Sequence, residues 1–360
     1  MEHLLVGTAK GLVMYRLVTP DNWQPITVHF EGFNVTMVYC DERYNRWWVG
    51  ITHKHWGQKL YYSDNQGESW HPVAVPTFES RTLPGGKPAK LRQIWCMAHG
   101  GQQYPDRLWL GTDPGGLFIS HNNGEKFEMV ENLWNHPSRQ TEGQWFGAGS
   151  DFPFIHSIVV NPDNEDHVYI AVSCAGVFET RNSGRTWEPK NNGLIAAYLP
   201  NPNVEVGHDP HWLLMPACNT NVLWQQNHCG IFYTSDAASQ WHRVSSEQKL
   251  PHYGFALAID HSDPARAWVI PADSDEKRMA PGLQLQVFQT SDAGKNWHSV
   301  SRGLPDSFTF DVVLRQAFQK QGDYLFMGTN NGNLYFSHAE AIYWHQLSGH
   351  LPKINTLLIT

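Results

Sequence analysis

Short runs of alternating apolar and polar residues recur along the whole chain, separated by turn residues. One unit shows the grammar. The run Ile155–Val160 comes first, and Asn161-Pro162-Asp163-Asn164 makes a turn. The run Val168–Val172 follows, then a Gly-containing turn and a third run over 177–180. A period of two, over stretches this short and bounded by Asn, Pro, Asp and Gly, predicts β-strands rather than helices. Each unit then closes on a corner of fixed composition and a fourth run. The clearest corner is Thr290-Ser291-Asp292-Ala293-Gly294-Lys295-Asn296-Trp297. Asp292 suits it by bonding its own backbone, Gly294 by accepting positive φ, and Trp297 by plugging the hairpin from the apolar side.

This corner, Ser/Thr-x-Asp-x-Gly-x-x-Trp, is an Asp box, and the chain carries seven copies in varying repair. Ser63 to Trp70 and Thr180 to Trp187 are clear; Ser120 to Phe127 has Phe for Trp, and Thr234 to Trp241 has Ala238 for Gly. The copies ending at Trp23 and Trp344 keep little more than the closing ring. The closing aromatics recur about every fifty residues, a period typical of four-stranded propeller blades. Such a blade buries its faces only against its neighbours, so the array must close. The expected fold is therefore all-β: a seven-bladed β-propeller of four-stranded antiparallel blades, read as one domain over residues 1–360. The N-terminus opens on a second strand at 4–7, and residues 354–360 form an isolated first strand. The C-terminal strand is thus expected to complete the N-terminal blade.

Composition narrows the class further. The chain has 360 residues, 26 Lys+Arg against 34 Asp+Glu, and a formal charge of −8. A general nucleic-acid binder or anionic-membrane binder needs a basic face, so neither partner is expected. The first residues lack the basic region and apolar core of a signal peptide and are too short to span a membrane. Five cysteines, odd in number and without CxxC spacing, read as reduced thiols of a cytoplasmic protein.

Taken together, the boxes and several further segments resemble the bacterial Asp-box (BNR-repeat) propellers of sialidase-like architecture. Within them the chain resembles a single-propeller group often labelled sialidase-like or glycosyl hydrolase. Besides the boxes, Arg92-Gln93-Ile94-Trp95, Leu133-Trp134-Asn135-His136-Pro137, Glu205-Val206-Gly207 and Gln225-Gln226-Asn227-His228-Cys229-Gly230 carry the resemblance. It implies fold far more than activity, because the box sits at a hairpin corner away from the substrate side. A sialidase also holds its substrate carboxylate with three arginines, for which Arg92, Arg139 and Arg315 are the candidates. The family's Arg-Ile-Pro motif is absent near the N-terminus, where Tyr15-Arg16-Leu17 stands in a third strand. Sialidase architecture without sialidase activity is the expectation.

Candidate site residues come from aligning the first strands. A polar side chain stands near the start of nearly every one: Arg92, His156, His211, Asp311 and Asn355, with Asn34 close by and Phe255 the apolar exception. The loops at that end, at 81–90, 133–153 and 192–210, are long and rich in Gly, Pro, Trp and His, the loop at 271–282 is long and carries Asp273, Asp275 and Glu276, and loops of that length are usually functional. His156, His211, His228, Asp311 and Glu205 are candidates for proton transfer or nucleophilic roles, since glycosidases use paired carboxyl groups. Arg92, Trp95, Trp134, Arg139, Trp145, Arg315 and Asn227 are candidates for binding, the arginines as forked donors to an acid and the indoles as stacking platforms. Imidazoles also suit a divalent metal, which would use His156, His211 and His228, although no HxH or HExxH spacing supports one.

Three functions fit these residues. The first is binding or processing of a carbohydrate or another polar small molecule, anionic ones included, in a pocket lined by His, Arg and Trp. The second is a non-enzymatic scaffold gripping a protein segment. The third is a metal-dependent lyase or hydrolase.

Overall fold

The structure is a computed structural model describing residues 2–83, 86–340 and 342–360. Its strands form seven four-stranded antiparallel sheets, the blades of a seven-bladed β-propeller. The fourth blade shows how closely the alternating runs map onto strands: Ile155–Val160, Val168–Val172, Gly176–Thr180 and Glu188–Pro189 lie side by side in chain order. The other blades repeat that order, except the first. There Ile354–Ile359 takes the innermost place beside His3–Thr8, with Leu4 opposite Ile359 and Val6 opposite Leu357.

The residues pack into two compact units. One comprises residues 1–35, 192–203 and 211–360 and holds most of the first, fifth, sixth and seventh blades. Its core includes Leu4, Val6, Trp268, Phe326, Phe336, Trp344, Ile354 and Leu357, all buried. The other comprises residues 36–191 and 204–210 and holds the second, third and fourth blades, around Trp48, Leu110 and Phe118 and around Trp109, Ile170 and Phe178. No helix among the described residues is long and apolar enough to cross a membrane.

The boxes work as hairpin locks. Thr290 Oγ1 donates to Asp292 Oδ1 at 2.8 Å and accepts from Gly294 N at 3.0 Å, and Asn296 N donates to Asp292 Oδ1 at 2.9 Å. Ala293 and Gly294 both take positive φ, 59° and 80°. A Cβ on Gly294 would stand 2.6 Å from the Cβ of Val244, so glycine is required there for space as well as for backbone freedom. At Asn65, Asn122 and Asn182 an amide oxygen accepts the same backbone bond in place of the carboxylate.

The closing rings are not equally buried. Trp241 and Trp344 are sealed in the core, whereas Trp70 and Trp297 are only half-buried. The corner read most clearly in the sequence thus carries one of the more exposed plugs. Trp297 is still anchored, its Nε1 donating to Val244 O at 2.8 Å, and Trp344 Nε1 reaches Val300 O at 2.9 Å in the same way.

One buried charge cluster bears directly on stability. In the third strand of the fourth blade, Glu179 is buried against His167 Nε2 at 2.6 Å, Arg181 Nη2 at 2.8 Å and Lys190 Nζ at 3.2 Å. Burial alone would raise its pKa, but the bonds from His167 and Lys190 and the Arg181 charge outweigh it and hold the carboxyl down at about 2. A folded-state pKa below the unfolded one contributes stability that is present above the unfolded value, near 4.5, and lost as pH falls toward 2. Glu179→Gln is therefore expected to cost about 2 kcal/mol at neutral pH, after discounting for the solvent-screened Arg181. Urea unfolding of both proteins from pH 7 to pH 2 checks this. The gap between them should close only below pH 4.5, and a constant gap would rule out the charge as its source.

Candidate functional site

Among the described residues adjacent blades share no β-ladder, so carbonyls at the start of one first strand need partners from elsewhere. Side chains of neighbouring first strands supply them. In the unit of residues 36–191 and 204–210, Thr36 Oγ1 donates to Ile94 O at 3.0 Å and Cys96 Sγ lies 3.5 Å from Ile155 O. His156 Nε2 donates to Pro210 O at 2.7 Å. In the other unit, Asn355 Nδ2 donates to Val35 O at 2.9 Å and His211 Nδ1 to Gly254 O at 2.6 Å. Much of the polar series read along the first strands therefore tethers blade to blade.

These tethers set the chemistry left to each histidine. His156 is 0% exposed, and its Nδ1 lies 2.9 Å from Ser157 Oγ. With Nε2 donating, Nδ1 accepts, and both ring nitrogens are engaged by the protein. His211 is also buried, but its bond to Gly254 puts the proton on Nδ1, so Nε2 carries the lone pair. The His228 ring stands edge-on to it, 5.8 Å between centroids.

Around these two histidines the unit of blades one, five, six and seven gathers a distinct set of side chains. Phe255 stacks on His211 at 4.6 Å, and Tyr253 meets both His211 and His228 edge-on. Tyr198, 38% exposed, covers His228 from the other side at 5.0 Å. Two guanidinium groups flank Phe255: Arg278 lies 5.4 Å and Arg315 5.5 Å from the ring centre. Arg315 Nε also donates to His211 O at 2.9 Å. Lys353 completes the set, its pKa lowered by burial of its ammonium and by the positive fields of Arg278 and Arg315. Among the described residues neither Arg278 nor Lys353 makes an ion pair. Asp275 lies 3.9 Å from His228 Nε2.

Other candidates hold structural positions. Asp311 is buried and accepts from Asn333 Nδ2 through both oxygens, at 3.2 and 3.0 Å. Asn227 is buried, donating to Gln225 Oε1 at 2.6 Å and accepting from Cys229 N at 3.0 Å, which shapes the hairpin that presents His228. Glu205 is exposed, and its backbone carbonyl accepts from Asn191 Nδ2 at 2.9 Å.

The unit of blades two, three and four brings together the remaining binding candidates. Arg92 pairs with Asp151 at 2.8 Å, and Trp95 stacks on Phe154 at 4.6 Å, nearly parallel. The long loop after the third blade folds into two single-turn helices, Glu131–Trp134 and Pro137–Gln140. The loop brings Trp134 and Trp145 to Arg139, whose guanidinium lies 3.7 and 5.0 Å from the two ring centres. Both indoles are buried, so the plane they offer is taken by Arg139.

Sequence reasoning missed Arg278, Lys353, Tyr198 and Tyr253. Arg278 lies in a loop noted for its length and its acids. Lys353 precedes its first strand by one residue, just outside the position compared between blades.

Residues 61–72 match the family described as BNR/Asp-box repeat. The match covers one of the seven corners, the one from Ser63 to Trp70. Over 232 residues it is 23% identical to an oligoxyloglucan-reducing end-specific xyloglucanase of Emericella nidulans, a match covering 55% of this chain and 26% of that enzyme. Among solved structures it is similar to an ancestral GH74 enzyme, with 18% identity and a TM-score of 0.57 over 88% of this chain and 38% of that one. It is also similar to YCF48 bound to D1 peptide, with 14% identity and a TM-score of 0.51 over 92% and 88% of the two chains. At these identities the structural likenesses show the fold alone. The chain spans well under half the length of the xyloglucanase and of the GH74 enzyme.

Proposed function

We propose that this propeller binds an acidic carbohydrate, or a closely similar polar anionic small molecule, at the cluster around Phe255. The observation that carries the reading is the convergence of Arg278 and Arg315 on one ring, with Lys353 near enough to both for their charges to lower its pKa. Like charges held together cost free energy, and a bound anion relieves that cost. Forked guanidinium donors suit a carboxylate, while Tyr198, Tyr253 and Phe255 offer the flat apolar faces that sugar rings take. Similarity to a xyloglucanase supports the carbohydrate half of the reading. His211 Nε2 and His228 are the groups for proton transfer if the ligand is turned over, and the same nitrogens would serve a divalent metal. The reading keeps sialidase-like architecture and assigns no sialidase chemistry: Arg92 is paired with Asp151, and Arg139 lies between two indoles.

The test is calorimetric titration with galacturonate, oligogalacturonate and a neutral xyloglucan oligosaccharide at low and high salt. The acids should bind, with affinity falling as salt rises, and the neutral sugar should bind more weakly. Lys353→Gln should weaken the acids yet raise the melting temperature of the unliganded protein, because it removes a cation whose folded state is disfavoured. No acid binding, or equal affinity for neutral and acidic sugars, would defeat the proposal. Binding of extended peptides alone would favour a scaffold instead.

A further inference from the structure

Arg139 lies far enough into the protein that burial pushes its pKa down to about 9. Among the described residues it makes no ion pair. Its guanidinium lies 3.7 and 5.0 Å from the ring centres of Trp134 and Trp145, and Nη1 donates to Gly115 O. A half-buried guanidinium without a counter-ion is unfavourable, and five donors cannot be satisfied by one carbonyl. The side chain opens on a cavity of about 400 Å³. Leu83, Phe152 and Pro153 give that cavity an apolar wall, while Thr82, Gln140 and Thr141 give it a polar one. Glu142 also lines it.

The position of Arg139 is built rather than accidental. His136 Nδ1 and Ser138 Oγ are 2.7 Å apart, and Trp145 Nε1 donates to Ser138 Oγ at 2.9 Å. Those bonds fix the short helix that carries Arg139 and the indole beside it.

We propose that this cavity is a second ligand site, which takes a small monocarboxylate with a compact, partly apolar body. One cation balances one negative charge, and Glu142 at the same cavity disfavours a dianion such as phosphate. A volume near the lower end of the range for ligand pockets limits the body to roughly the size of a single ring. The site shares no residue with the cluster around Phe255, so it stands or falls independently of that reading.

Calorimetric titration of the full chain with benzoate, benzamide and inorganic phosphate tests it. Benzoate should bind, with benzamide and phosphate at least tenfold weaker. Arg139→Lys keeps a charge but loses the planar fork, and should weaken benzoate roughly ten- to a hundredfold. Glu142→Gln should bind benzoate as well as the natural chain or better. Equal binding of benzoate and benzamide would overturn the proposal, as would undiminished binding by Arg139→Lys. So would benzoate binding seen only in Glu142→Gln, which would show that Glu142 serves as the counter-ion of Arg139. If Arg139→Lys does not fold, the comparison of benzoate with benzamide and the Glu142→Gln variant still decide the matter.

Discussion

A chain cut before Ile354 is expected to lose its folded state at room temperature. Residues 354–359 supply the innermost strand of the first blade, hydrogen-bonded along His3–Thr8. Ile354, Leu357 and Ile359 are all buried in the core shared by the first, sixth and seventh blades. Truncating a buried Leu or Ile to Ala costs about 2–5 kcal/mol. Three such losses approach the whole stability of a typical domain, about 5–15 kcal/mol. The cut also removes the bonds from Asn355 Nδ2 to Asn34 Oδ1 and Val35 O, at 2.8 and 2.9 Å, and bares the edge of a buried strand. Circular dichroism melts and limited proteolysis of the truncated protein provide the check. A truncated chain that melts within a few degrees of the intact one would show that closure contributes little.

The second large effect is expected at a box tryptophan. Trp344→Ala should cost about 3–5 kcal/mol, because the ring is 1% exposed and its loss leaves a large cavity. It also leaves Val300 O without the indole donor 2.9 Å away. Trp297→Ala removes the corresponding bond to Val244 O at a half-buried ring, so its cost should be clearly smaller. Urea denaturation of the two variants separates packing from hydrogen bonding. Equal costs would mean that the shared indole bond, rather than burial, sets the penalty.

The candidate site was legible only in part. The long loops and the polar first-strand positions pointed to one end of the strands, and of the residues read there Arg315, His211 and His228 do lie in one cluster with Phe255. The sequence offered no way to tell that these histidines tether blade to blade. His156 and His211 occupy equivalent places, and each bonds a carbonyl of the next first strand, Pro210 O and Gly254 O. Trp134 and Trp145 read as a platform, but the residue between them in the chain, Arg139, covers the plane they would offer.

What the sequence by itself determined is the repeating architecture: strand runs, corners, seven blades and the place of the last strand. These follow from local rules, since a period of two, a Thr-Asp-Gly corner and a closing Trp act over a few residues and recur. What only the tertiary structure decided is the chemistry between blades. Arg278, Arg315 and Lys353 come from the sixth, seventh and first blades and lie dozens of residues apart. Their convergence depends on loop paths and strand starts that no local period encodes. The lone cation of Arg139 likewise reaches its place beside Trp134 and Trp145 only because two short helices fold the loop back, a packing outcome on which the chain's alternating pattern is silent.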